Sequence, residues 1–276
     1  MNEFEEYRRE KWKLLDFEDN EPPYIPIRIR ATIEEVEDCY QKNTLYLINN
    51  FEELKRERVI QIPDKGSFGV HKLLNFPLTK KDISTLTLEE KLDTIFNRCS
   101  GWIYPDEDKF LTDIAISYSK TASCIVELGS YSGKSANLFA FILSDEEITI
   151  NCIDKFDYPT HDIIKAPFNT LSGIHFDQFL KWTYWFRDKL NIIRYNTWKA
   201  PKFFDDNSVD IIFIDAGHDF DNCTRDILSW IPKLKRNGIM IGHDYCPEHQ
   251  DVILAVNSIF GKNFDRGPGR IWYKIL

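Results

Sequence analysis

Ser123-Cys124-Ile125-Val126-Glu127-Leu128-Gly129-Ser130-Tyr131-Ser132-Gly133-Lys134-Ser135 is an apolar run that closes on an acid and crosses a turn bracketed by two glycines. It then enters an apolar-periodic segment, Leu138, Phe139, Phe141, Ile142 and Leu143. Strand, tight loop and helix in that order open a doubly wound α/β domain. Ligands of such sheets lie beyond the carboxyl ends of the strands. Gly129 and Gly133 let the backbone turn sharply and approach a ligand closely. The stretch reads as a nucleotide or nucleoside pocket, or as a glycine turn that only reverses the chain.

Spacing separates the ligands. A phosphate-binding P-loop needs G-x-x-x-x-G-K-[ST], whereas Gly129 to Gly133 encloses three residues, although Gly133-Lys134-Ser135 imitates its tail. A dinucleotide fingerprint needs G-x-G-x-x-G, and Tyr131 occupies the place of its second glycine. What is left is E-x-G-x-x-x-G with a carboxylate ending the strand. That charge suits a cationic ligand and repels a triphosphate. S-adenosylmethionine, with its sulfonium and ammonium groups, fits.

The chain of 276 residues has room for one large domain, or one domain with a smaller appendage. A net charge of −9 argues against nucleic acid as the main partner, because phosphate backbones reward lysine and arginine. There is no run of about 18 apolar residues, so no membrane span is expected. Met1-Asn2-Glu3-Phe4-Glu5-Glu6 lacks a signal-peptide pattern. Six scattered cysteines (39, 99, 124, 152, 223 and 246) without a C-x-x-C read as buried thiols of a reducing compartment. The expectation is a cytoplasmic protein.

Residues 1–100 form an arm of different texture, charged and nearly free of glycine. Phe4 to Leu15, Ala31 to Tyr40 and Thr44 to Leu54 suit helices, and Pro22, Pro23 and Pro26 enforce an extended passage. Thr87-x-x-Glu90 is a capping box for a helix reaching about Cys99. This mainly helical extension is either a cap over the substrate, a surface for homo-oligomers, or a packing appendage. Residues 101–276 form the α/β domain.

Pro105 to Ser119 suits a helix leading into the central strand. The second strand, Ile148 to Ile153, closes on Asp154, 21 residues beyond Gly133. An acid near that offset takes ribose hydroxyls in nucleoside-binding α/β domains; alone, it would read as a turn acid. The crossover from Lys155 to Leu190 is long and aromatic, which suits an active-site lid or an amphipathic cover for the sheet. A third strand, Asn191 to Tyr195, ends at Asn196-Thr197-Trp198, placed to reach an adenine.

Val209-Asp210-Ile211-Ile212-Phe213-Ile214 is a buried strand ending in Asp215-Ala216-Gly217-His218-Asp219. The periodicity of Cys223, Ile227, Leu228, Ile231 and Leu234 predicts a helix stopped at Asn237-Gly238. A fifth strand, Ile239-Met240-Ile241, leads to Gly242-His243-Asp244-Tyr245. Neighbouring parallel strands bring their carboxyl ends together, so Asp215, His218, His243 and Asp244 should share one rim near the glycine loop. Two acids and two histidines suit a metal site or an acid/base site; capping or core-satisfying roles for the histidines stay open. Glu248 and His249 are weaker candidates, explained by surface polarity. Val252 to Phe260 suits a helix stopped by Gly261, and Gly267-Pro268-Gly269 turns the chain into a last strand, Ile271 to Ile275.

The order E-L-G-S-x-x-G-K-S, then I-D, then V-D-I-I-F-I-D-A-G-H, then L-K-x-x-G-I-M-I-G-H-D-Y resembles the class I S-adenosylmethionine-dependent methyltransferases. The resemblance covers roughly residues 101–276. It is closest to the family sometimes numbered methyltransferase 24, and the chain is similar to macrocin- and mycinamicin-type sugar O-methyltransferases and cephalosporin-hydroxylase-like proteins. It implies a Rossmann-like, mostly parallel sheet with an antiparallel last strand. Glu127, Gly129 and Gly133 would hold the methionine part of the cofactor and Asp154 the ribose. Ser130, Tyr131, Ser135, Lys155, Thr197, Trp198 and Asp215 complete that set. The resemblance further implies His218 as general base with Asp215 beside it, and a divalent cation, magnesium or manganese, on Asp215, His243 and Asp244. Histidine stands at 243 where those sugar enzymes carry a carboxylate; magnesium prefers oxygen ligands, whereas imidazole suits zinc, manganese or iron. The acceptor would be a hydroxyl of a sugar or glycosylated small molecule, and a phenol, nitrogen or macromolecule is the alternative, as is a non-catalytic module.

A sulfonium methyl is already electrophilic, so an enzyme must align the acceptor oxygen and remove its proton. Alignment is worth roughly 7–11 kcal/mol and a positioned base about 10²–10⁴-fold. A metal can lower the hydroxyl's pKa but is not compulsory on these magnitudes.

Overall fold

Strands buried on both faces read as continuous apolar runs, and alternate residues of each run supply the two faces of one sheet. In a computed structural model, these runs become β1 (Cys124–Leu128), β2 (Thr149–Ile153), β3 (Leu190–Ile193), β4 (Val209–Ile214) and β5 (Leu234–Gly242). The structure describes Thr87, Glu89, Glu90, residues 101–143, 147–156, Phe176, Phe179, Leu180, Thr183, Phe186 and 189–276. The helices and extended passage expected before residue 87, and the remainder of the capped helix to Cys99, lie outside these residues. So does most of the crossover. The Thr87 capping box is present: Glu90 Oε2 accepts from the Thr87 N–H at 2.8 Å, and Thr87 Oγ1 from the Glu90 N–H at 3.3 Å.

The sheet has seven strands in the order β3-β2-β1-β4-β5-β7-β6. β1 to β5 pair in parallel, and β7 (Trp272–Ile275) runs antiparallel to β5. A two-residue strand, β6 (Asp265–Arg266), adds an edge that the sequence did not signal. Strand order reverses between β1 and β4, which opens the crevice at their carboxyl ends.

One face carries Ile125, Ile150, Ile192, Phe213 and Ile241, packed with α1 (Pro105–Tyr118) and α2 (Lys134–Ile142). The other carries Val126, Ile153, Ile212 and Met240, packed with α3 (Phe220–Trp230) and α4 (Gln250–Phe260). Of the crossover, Phe176, Phe179, Leu180 and Phe186 are buried on the α1/α2 face. Phe156, just after β2, stacks among them, 4.8 Å from the Phe176 ring and 5.0 Å from that of Phe179. This part of the crossover covers the sheet; the lid expectation falls on undescribed residues.

Two boundaries differ from the sequence reading. The helix after β4 stops at Trp230, because Pro232 cannot continue it and forms a short 3-10 turn instead. Leu234 therefore opens β5, and Asn237-Gly238 lies inside that strand near a register shift, with Asn237 at φ 64°. The third strand ends at Ile193, two residues early, and Thr197–Phe203 winds into a 3-10 segment. Gly261 ends α4 at φ 60° as expected. Among the described residues no helix is long and apolar enough to cross a membrane. Cys124, Cys152, Cys223 and Cys246 are free thiols.

Candidate active site

The strand ends are laced together by backbone hydrogen bonds: Gly129 N–H to Ile153 O, Asp215 N–H to Leu128 O, and His243 N–H to Ile214 O, at 2.8–3.0 Å. Gly129, at φ 87°, sits so close to the Asp215 backbone that any Cβ would collide with the Asp215 carbonyl. The glycine loop and the β4 rim are therefore in direct contact across the strand-order reversal. Gly133, at φ 86°, caps α2; a Cβ there would meet Thr183 Cγ2 at 2.8 Å, so this glycine also serves packing of the crossover. Tyr131 is held in the left-handed region at φ 47°. Its N–H donates to Asp154 Oδ2 at 2.8 Å, while Asp154 Oδ1 accepts from the Phe156 N–H at 2.7 Å. A carboxylate oxygen can accept more than one hydrogen bond.

Glu127 lies fully buried beneath the loop, facing the N-terminus of α2. Burial pushes its carboxyl up to about 7, and the nearby hydroxyls of Ser130 and Ser135 offset only part of that. Neither of its oxygens has an aligned hydrogen-bond partner, and Ser130 Oγ is similarly unpaired. A buried acid without a partner is costly, and a cationic ligand group would relieve it, so these residues fit S-adenosylmethionine. Lys134 instead turns its ammonium toward the Gly101 carbonyl at 3.4 Å, unlike a phosphate-binding lysine.

Asp215 and His243 follow β4 and β5 at alternate positions, so both point to the α1/α2 face with Phe213 and Ile241. Asp244, at φ 58°, doubles back beside them. Its Oδ2 is 2.8 Å from His218 Nε2; its Oδ1 is 3.3 Å from His243 Nδ1 and 3.3 Å from the Arg270 guanidinium. His243 Nδ1 is also 3.5 Å from Asp215 Oδ1, yet aligned for a hydrogen bond with neither acid. Its Nε2 lies 3.0 Å from Oε2 of Glu107, a fully buried residue of α1.

Electrostatics follow from these contacts. Burial favours neutral His243, but the Asp215 charge and the carboxylates around both ring nitrogens hold it far above its ordinary value. Burial likewise opposes the charge of Asp244, yet His218 and His243 keep its carboxyl far below the usual range. His218 is exposed on one side yet raised: partial desolvation works against its proton, and the Asp244 hydrogen bond and charge outweigh that.

Residues 126–245 match a family model described as a methyltransferase domain. Over that stretch, under half of its length, the chain is similar to a methyltransferase domain. No curated protein matches the chain. Among solved structures, the chain is similar to a TDP-rhamnose 3'-O-methyltransferase of calicheamicin biosynthesis in its apo form. The two are 13% identical over 90% of this chain and 97% of that one, with a TM-score of 0.47. An O-methyltransferase from Bacillus cereus in complex with SAH is 15% identical over 71% and 94%, with a TM-score of 0.47. SAH-bound methyltransferase PaMTH1 of Podospora anserina is 15% identical over 73% and 98%, at 0.45.

The structure gathers Glu127, Gly129, Ser130, Tyr131, Gly133, Ser135 and Asp154 at one loop, and Asp215, His218, His243 and Asp244 at the adjoining rim. Lys155 is exposed beside Asp154. Thr197 and Trp198 lie against α3: the Thr197 carbonyl accepts from Trp230 Nε1 at 2.9 Å, and Arg225 lies 5.1 Å over the Trp198 ring. Glu248 is exposed, as surface polarity implied. His249 gains weight, its ring 4.5 Å from that of His218 and its Nε2 3.6 Å from Asp244 Oδ1. Sequence reading missed Glu107, whose signal was hidden in the run Asp106-Glu107-Asp108, read only as part of a helix N-terminus.

A cation fits the donor set of Asp215, His243 and Asp244. These atoms lie close enough to share one ion, and the buried, unpaired Nδ1 faces both acids. A ligating imidazole must give up its ring proton on that side, so an ion entering there would replace the proton that His243 otherwise holds.

Proposed function

We propose that the protein is an S-adenosylmethionine-dependent O-methyltransferase acting on a hydroxyl of a sugar or glycosylated small molecule. The observation that carries this reading is the shared Asp244 carboxylate, paired with exposed His218 on one oxygen and with buried His243 on the other, at a rim touching the glycine loop. Glu127 and the loop backbone hold the cationic methionine part, and Asp154 takes the ribose hydroxyls. Thr197 and Trp198 are assigned to the adenine side on the strength of the sequence order alone. S-adenosylmethionine supplies an electrophilic methyl group when bound. His218, oriented by Asp244 through Nε2, accepts the acceptor hydroxyl's proton at Nδ1. A divalent ion on Asp215, His243 and Asp244 would acidify that hydroxyl when bound. The sugar class comes from the sequence resemblance to macrocin- and mycinamicin-type enzymes.

The test is incubation with methyl-labelled S-adenosylmethionine and a panel of glycosylated and phenolic acceptors, with and without added divalent cation. Label on a sugar hydroxyl is the expected result. Transfer to phenols alone overturns the acceptor class, and failure to bind S-adenosylmethionine in calorimetry overturns the reading entirely.

A further inference from the structure

Glu107 is an acid that a helix terminus alone does not explain. A capping glutamate at the third helical position ordinarily faces solvent, and burying a carboxylate costs several kcal/mol unless it is fully hydrogen-bonded. Glu107 is completely buried and fully engaged. Its Oε2 accepts from the Tyr104 N–H at 2.9 Å and faces His243 Nε2 at 3.0 Å; its Oε1 accepts from the Arg270 N–H at 2.7 Å. Three distant segments converge on it: the start of α1, the end of β5 and the turn before β7. The last of these is shaped for it, since Gly269 has φ 58° and a Cβ there would collide with the Glu107 carboxylate.

The consequence falls on the imidazole. With Nε2–H given to Glu107, a flip of the His243 ring would forfeit this bond to a buried carboxylate, and Nδ1 is left facing Asp215 and Asp244 at 3.5 and 3.3 Å. Donor atoms bound to one ion at about 2.0–2.2 Å are separated by roughly 3.0–3.5 Å, which matches those separations. A histidine that ligates through one nitrogen and gives its other N–H to a carboxylate is fixed in tautomer and made more basic. A nitrogen and two carboxylates form a donor set for manganese, zinc, iron or cobalt, whereas magnesium prefers oxygen alone.

We propose that Glu107 is a positioning residue for the rim's cation, holding His243 through Nε2 so that Nδ1 completes a transition-ion site with Asp215 and Asp244. The inference rests on the cation site proposed above and adds to it the residue that holds its nitrogen donor in place. Glu107→Gln is the informative change: its single carbonyl cannot serve Tyr104, Arg270 and His243 together, while its volume is kept.

The full chain, stripped of metal with a chelator, is titrated with Co²⁺ followed by absorption and with Mn²⁺ followed by electron paramagnetic resonance. Wild type binds both, and Glu107→Gln binds them roughly 10–100-fold more weakly. A variant that melts earlier but keeps wild-type ion affinity makes Glu107 a structural cap and overturns the proposal. Should the variant fail to fold, Zn²⁺-loaded wild type labelled with ¹⁵N-histidine decides: a proton on Nε2 of His243 and a zinc-shifted Nδ1 support the proposal, and the reverse pattern overturns it. A wild type that binds neither ion removes the cation site itself, a failure distinct from unchanged affinity in the variant.

Discussion

The Tyr131 N–H donates to Asp154 Oδ2 at 2.8 Å, so the acid that closes β2 also fastens the glycine loop that follows β1. Removing this carboxylate has two separable effects. Asp154→Ala should weaken S-adenosylmethionine binding by about 10²-fold or more in calorimetry, since hydrogen bonds to a charged acceptor are worth about 1.5–3 kcal/mol each. Hydrogen exchange at the Tyr131 amide should quicken even without ligand. Asp154→Asn, which keeps one acceptor oxygen, should lie between the two.

Glu127 predicts a pH signature. Its folded pKa of about 7 stands above the ordinary 4.5, so the folded state holds this proton more tightly than the unfolded chain. The associated stability is complete below about pH 4.5 and is lost as pH rises through 7. Glu127→Gln removes that loss, so without ligand the variant should outlast wild type in chemical denaturation at pH 8, by on the order of 3 kcal/mol. Binding a cationic ligand favours the charged carboxylate, so S-adenosylmethionine should release protons near pH 6. Binding heats should then differ between buffers of high and low ionisation enthalpy, and equal heats would disconnect Glu127 from the ligand.

Two glycines with positive φ should respond differently to alanine. Gly129→Ala drives a methyl into the Asp215 carbonyl and should both abolish ligand binding and lower the melting temperature sharply. Gly261→Ala has nothing within 4 Å and bears only backbone strain at φ 60°, ψ −113°, of about 1–3 kcal/mol. Thermal melts of the pair check this ordering; equal losses would place Gly129 in open space.

His218 is exposed and tethered by Asp244, so His218→Gln should leave the fold and S-adenosylmethionine affinity intact while kcat falls by about 10²–10⁴-fold. Single-turnover transfer of labelled methyl measures it. A loss confined to KM would make His218 an acceptor-binding group instead.

Much of this was legible in the residues because parallel strands buried on both faces leave an unbroken apolar run, and Glu127, Asp154 and Asp215 mark where three of them stop. The end of α3 was not, because Ile231 and Leu234 prolong the helical periodicity past Pro232, the true breaker. Asn237-Gly238 resembles a helix stop but accommodates an irregularity inside β5. The rim residues came from the order of the strands alone. Glu107 could not, since its partners His243 and Arg270 are more than a hundred positions away and an acid near a helix start already has a sufficient local reason.

Tyr131 and Asp244 occupy left-handed backbone where glycine would sit more comfortably, at a cost of order 1 kcal/mol each. The two flank the crevice from opposite strands. Selection for heat resistance alone would trade both for glycine, and would thereby discard a loop ring and the carboxylate shared by two imidazoles. A thermophilic lineage of this architecture would relieve Asn207 or Asn237 instead, left-handed positions at the opposite end of β4 and β5 from the crevice.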